Sequence, residues 1–151
     1  MLSSTEEKVI QDTWALISPD LKKSGVGVFL RFFTDYPNYQ KSFRSFANVP
    51  FDDLPQNKRF QAHAYTVMNA IDGMVNNLDD PEMLDEMLLR TGVNHGKRKL
   101  TGQAFDEFKS SFMGYLETTL KDKWSSETEA AWELVVALII TKIKDGMEAE
   151  N

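Results

Sequence analysis

The chain has 151 residues, enough for one domain with a real core, and 42% hydrophobic against 26% charged is the balance of a soluble globular protein. A net charge of -6 removes the basic footprint that nucleic acid or an anionic membrane surface requires, so neither is an expected partner. There are no cysteines, which excludes disulfides, thiolate metal sites and cysteine nucleophiles together and fits a reducing compartment. No apolar run reaches transmembrane length. The polar, acidic start lacks the layout of a secretion signal, and Leu2 excludes N-myristoylation, so the expected location is cytoplasmic.

Ser4 followed by Glu7 reads as a capping box. It opens a helix with Val9, Ile10, Trp14 and Ile17 on one side, closed by Pro19. A second helix is expected from Leu21 to Tyr36, with Val26, Phe29, Leu30 and Phe33 inward. Gly25 and Gly27 inside it cost about 1 kcal/mol each against alanine, which implies the close approach of another helix. Pro37 stops this helix and opens a short one holding Tyr39 and Phe43. Phe43, Phe46 and Phe51 then lie in the longest irregular stretch, which contains Pro50 and Pro55.

The next helix spans roughly Gln56 to Leu78, with Phe60, His63, Val67, Ala70, Ile71, Met74 and Leu78 repeating at three and four. Asp80 caps the following helix and Pro81 takes its first position. That helix carries Leu84, Leu88 and His95 on one stripe, with Gly96 as C-cap and Lys97, Arg98 and Lys99 at the negative end of its dipole. Met74, Met83 and Met87 read as core filler. A helix from about Gly102 to Leu120 buries Phe105, Phe108, Phe112 and Leu116. Ser126 and Glu129 form a second capping box, opening a helix with Trp132, Val135, Val136, Ile139, Ile140 and Ile143 inward. The tail after Lys144 is expected to fray. No period-two pattern or repeat occurs, so the expected class is all-α in one domain over residues 1–151.

His63 and His95 are the two histidines of the chain. A lone histidine on an apolar stripe is more often a hydrogen-bonded core residue than a ligand. Here both fall on inward stripes of successive helices, and an aromatic loop lies just before the first of them. Two imidazoles do not complete a closed zinc site, which takes four ligands. The Glu-x-x-His spacing of di-iron bundles is also missing, since Phe60 and Gly92 stand three before the histidines. The apolar faces around both rings suit a haem, ligated by one imidazole and faced by the other. Glycine-rich phosphate loops and hydrolase constellations are absent.

Trp14, Pro37, Phe43, His63 with Val67 one turn later, His95 and Trp132 together resemble the globin family over essentially the whole chain. The pair Phe43 and His95 is the most specific of these landmarks. Arg59 to Ala64 after Val49-Pro50 looks like intracellular invertebrate globins, including those of insects. Leu78-Asp79-Asp80-Pro81 and Val93-Asn94-His95 resemble bivalve forms. The resemblance implies helices packed three-over-three, crossing at about 50°, around haem b, iron protoporphyrin IX. It implies that His95 is the proximal iron ligand and His63 the distal residue or a sixth ligand. Phe43 would stack on the haem, and Phe29 and Val67 would wall the distal side. Phe46 and Leu88 would line the pocket, and Arg98 and Leu100 would lie at the haem edge. Gly25 and Ala64 would be the small residues at a helix crossing. Thr91 and Thr66 depart from the common family pattern, but the Thr91 carbonyl remains available to the proximal imidazole.

The implied function is reversible binding of O₂, with CO and NO as further ligands, by a monomer or homodimer. Two other classes stay open. One is an enzyme, with NO dioxygenation, nitrite reduction or weak peroxidase turnover at the same haem, or a bis-histidyl globin with an NO dioxygenase, nitrite reductase or redox-sensing role. The other is a haem-free helical interaction module with core histidines.

Overall fold

Residues 2–97 and 101–148 are described in a computed structural model, and every regular element among them is helical. The α-helices are α1 (Ser4–Trp14), α2 (Leu21–Asp35), α3 (Lys58–Val75), α4 (Pro81–Lys97), α5 (Gly102–Leu120) and α6 (Ser126–Glu148). Among the described residues, 3-10 turns lie at Ser18–Asp20, Pro37–Ser42, Phe51–Gln56 and Lys121–Lys123. The all-α class expected from sequence is what the chain adopts over these residues. Helix α4 lies along α6, α2 crosses α3 and α5, and α1 packs on α6.

Two indoles fasten the core. Trp132 Nε1 donates to Thr13 Oγ1 at 2.8 Å, tying α6 to α1, and Trp14 Nε1 donates to Asp72 Oδ1 at 2.8 Å, tying α1 to α3. The apolar bodies of these rings pack against each other and Phe112, while each N–H finds the partner that burial demands. The crossing of α2 and α3 is set by Gly25: a Cβ there would stand 2.8 Å from Ala64 O and 2.9 Å from Met68 Cγ. A second cluster of Met74, Leu88, Ile143 and Met147 joins α3, α4 and α6.

Several boundaries differ from those expected. The capping box at α1 is Ser3 with Glu6, not Ser4 with Glu7. Ser125, not Ser126, accepts from the third backbone N–H of α6. Helix α1 stops at Trp14, and Pro19 sits inside the 3-10 turn that follows. Helix α2 ends at Asp35, and Phe43 lies just past the 3-10 turn opened by Pro37. Helix α3 begins at Lys58, capped by Asn57, and ends at Val75, because Asn76 and Asn77 turn the chain toward Asp80. Asp80 does cap α4, its Oδ1 accepting from Met83 N at 3.2 Å. Gly96 does not end α4, which continues to Lys97. The frayed tail after Lys144 is instead helix to Glu148, with Gly146 and Met147 buried against α4. Ala70 and Met83 are exposed rather than inward; Ala64, Met68 and Val75 fill the buried face of α3 instead. Part of the irregular stretch is the 3-10 turn Phe51–Gln56, on which Phe51 is exposed and Leu54 buried.

Candidate functional site

The two imidazoles stand in different neighbourhoods. His63, half-buried on α3, is ringed by aromatic side chains from two other segments. Phe29 of α2 meets it edge-on with centroids 5.0 Å apart, and Phe43 and Phe46 of the corner after α2 stand at 4.8 and 5.8 Å. Phe43 and Phe46 lie nearly parallel, 5.3 Å apart at 11°. Phe46 is fully buried and also meets Phe33 and Phe60. Val67, one turn beyond His63, packs half-buried against the same core. Thr66 points elsewhere, its hydroxyl donating to Ala62 O at 2.8 Å.

The corner that presents Phe43 and Phe46 is held by a residue the sequence gives no reason to single out. Gln40 Nε2 donates to Phe46 O at 3.1 Å and to Val49 O at 2.8 Å. A side-chain amide reaching loop carbonyls leaves no periodic trace.

His95, half-buried on α4, sits 2.7 Å through Nδ1 from Thr91 O. A carbonyl only accepts, so Nδ1 is the donor in this bond, which leaves Nε2 as the nitrogen that the neutral ring can offer to a metal. Thr91 turns its own hydroxyl back onto Met87 O at 2.9 Å. Phe105 of α5 meets the His95 ring at 5.3 Å and 72°. One turn along, Phe108 meets Phe29 at 5.3 Å, and Phe29 touches His63. Helix α5 therefore touches His95 directly and backs Phe29, the ring that meets His63, a role that its apolar stripe alone did not reveal.

Leu88 is buried in the cluster with Met74, Ile143 and Met147, two turns before His95 on α4. Arg98 and Leu100, expected at a haem edge, lie outside the described residues. Two open clefts lie elsewhere. One, of about 570 Å³, is lined by Asp35, Tyr36, Tyr39 and Glu107 among others; a second of about 560 Å³ lies between α5 and α6; neither includes a histidine.

Among the described residues, no three His, Asp or Glu side chains converge as a metal cage. An Nδ1 engaged with a backbone carbonyl, an Nε2 on the other side of the same ring and walls of phenylalanine form a donor set suited to a flat apolar metallocofactor held by a single imidazole. The residues therefore fit the group expected from the sequence.

Comparison with known proteins agrees. The family model described as Globin matches residues 26–143. A globin of Nerita albicilla is 28% identical over 132 residues, covering 87% of this chain and 84% of the relative. A structure of the Drosophila melanogaster hexa-coordinate hemoglobin, described with cyanide binding and heme cavity transitions, superposes with a TM-score of 0.88 at 25% identity, covering 94% of this chain and 93% of that one. The hexacoordinated heme protein of an anhydrobiotic tardigrade shares the fold with a TM-score of 0.90 at 22% identity, covering 97% and 96%.

Proposed function

This chain belongs to the globin family, and on that premise we propose that it holds haem b through His95 Nε2 and binds O₂ reversibly, with His63 on the distal side. The observation that carries the reading is the 2.7 Å contact of His95 Nδ1 with Thr91 O. It orients the ring, fixes its tautomer and strengthens the other nitrogen as a donor. When bound, the haem supplies a ferrous iron that takes a diatomic gas such as O₂, CO or NO reversibly. The chain supplies everything else. Phe43 and Phe46 offer flat faces, Phe29 and Val67 close the distal side to water, and Leu88 backs the proximal helix. Arg98 and Leu100 are assigned to the haem edge. His63 is the residue of the distal aromatic group able to donate a hydrogen bond, since Phe29, Phe43 and Phe46 have no polar hydrogen. The reading includes a cytoplasmic location, and assembly as a monomer or homodimer. No helix of the described residues is long and apolar enough to cross a membrane.

The test is gas kinetics on the reconstituted protein. His63→Leu removes a hydrogen bond to a partly charged ligand, worth about 1.5–3 kcal/mol. The expected result is an O₂ off-rate raised roughly 10- to 100-fold, with a much smaller change for CO. Equal changes for both gases would contradict the assignment of His63.

A second reading has His63 Nε2 as a sixth ligand, with redox work such as NO dioxygenation, nitrite reduction or redox sensing. It is favoured by the 25% identical Drosophila protein, described as hexa-coordinate. The deoxy ferrous absorption spectrum separates the two: one broad visible band for a five-coordinate iron, two sharp bands when both histidines bind.

A further inference from the structure

Helices α4 and α6 touch backbone to backbone. A Cβ on Gly92 would collide with Ile143 O and stand 2.9 Å from Gly146 Cα. One on Gly146 would stand 2.5 Å from Leu89 O and 3.1 Å from Gly92 Cα. Each glycine thus lies on a carbonyl of the opposite helix, in the geometry that lets Cα–H groups face carbonyl oxygens. The contrast with Gly27 and Gly73 is one of compliance. A Cβ on Gly27 would meet the Tyr115 side chain, and one on Gly73 would reach Met87 Cε at an ordinary 3.5 Å. Side chains can swing aside; the main chains at the α4–α6 crossing cannot.

The turn pinned in this way is the one that carries His95. Thr91, immediately before Gly92, gives its carbonyl to His95 Nδ1 at 2.7 Å. Leu89, Gly92 and His95 follow one another at intervals of three. Phe105 of α5 limits the imidazole from another side, with ring centroids 5.3 Å apart. Leu88, Ile143 and Met147 pack beside the crossing and are buried. Close-packed interiors pass displacement on rather than absorbing it.

We propose that the Gly92–Gly146 crossing sets the stance of the His95 imidazole, making both glycines positioning residues for the bond that Nε2 forms to a metal. The inference rests on the reading of His95 as a haem ligand. A methyl at residue 146 must push α4 back by about 1 Å to reach ordinary contact, and the pushed segment contains the carbonyl that orients the ring.

The experiment compares wild type with Gly146→Ala, Gly92→Ala and Gly73→Ala as full chains reconstituted with haem. Resonance Raman spectroscopy reads the iron–imidazole stretch just after CO photolysis, so that binding of His63 does not interfere. In the apoproteins, nitrogen NMR reads the His95 Nδ1 shift. The expected result is a shifted stretch and a moved Nδ1 resonance in Gly146→Ala and Gly92→Ala, with Gly73→Ala like wild type. CO recombination should change by roughly tenfold, within the range that a displacement of about 1 Å produces at a reacting centre. A stretch and an Nδ1 shift unchanged in both crossing variants overturn the proposal. Loss of helical circular dichroism in both also overturns it, because the glycines would then be requirements of the fold rather than settings for His95. A wild type that takes up no haem strikes at the ligand reading instead, and the apoprotein Nδ1 shift then decides the positioning by itself.

Discussion

At Gly25 the space between two helices is smaller than one methyl group. Met68 Cγ can rotate away from an added Cβ, but Ala64 O, 2.8 Å away, belongs to the backbone of α3. Gly25→Ala should therefore destabilise the protein by about 1–3 kcal/mol, the usual cost of overpacking, as read from urea unfolding. A neutral outcome would mean that α2 and α3 ride apart freely. Tyr39 offers a titration test. Its ring stacks on Phe32 at 4.9 Å, and burial, then the charge of Glu107, raises its phenol above the ordinary 10.0. The folded value lies above the unfolded one, so the stability it contributes is present below the unfolded value and lost as pH rises through the folded one. Glu107→Gln should bring Tyr39 back toward the ordinary value, measured as phenolate absorbance with Tyr39→Phe as the blank. Single residues were unevenly legible in the sequence. His63 and His95 stood out because they are the chain's two imidazoles and both fall on apolar stripes. Phe105 was read as ordinary core, since nothing in a helix's own period says which ring of a neighbouring helix it will meet. Gln40 gave no signal at all.

Helix ends depend on whichever neighbouring side chain reaches the free N–H groups first. Both Ser3-Ser4 and Ser125-Ser126 offer two adjacent candidates, and in both pairs the earlier serine is the cap. At Ser125 the hydroxyl accepts from Thr128 N at 3.1 Å. Ser125→Ala should cost about 1 kcal/mol in thermal unfolding, whereas Ser126→Ala should change it by a few tenths at most. The opposite ranking would return the cap to the register first expected. Where a start signal is chemically unique, the sequence suffices: Asp80 before Pro81 marks α4, and α5 runs from Gly102 to Leu120 as expected. It falls short where tertiary contact decides. Helix α6 continues past Lys144 because Gly146 and Met147 find a surface on α4, and no local propensity encodes that surface.

For the molecule as a whole, the missing period-two pattern was enough to reach an all-helical fold, and the ring of phenylalanines around one histidine was legible as an apolar site. How α5 meets His95 through Phe105 and backs the Phe29 that meets His63 was not, because it depends on helix placement over long sequence separations. A cofactor bound between these elements would stabilise the native state by mass action, by about 4 kcal/mol at a free concentration of roughly 1,000 times Kd. Adding haem to apoprotein should accordingly raise the melting temperature by several degrees in scanning calorimetry. An unchanged melting temperature would place the group outside the core. The bond from Trp132 to Thr13 spans 119 positions of the chain. During synthesis Thr13 must wait, without its indole partner, until α6 has emerged from the ribosome, and the same wait applies to α4. The nascent protein therefore passes most of its translation with its first helix lacking α6, and its fourth helix waits from its own synthesis until α6 follows, a period in which chaperone contact would protect it most.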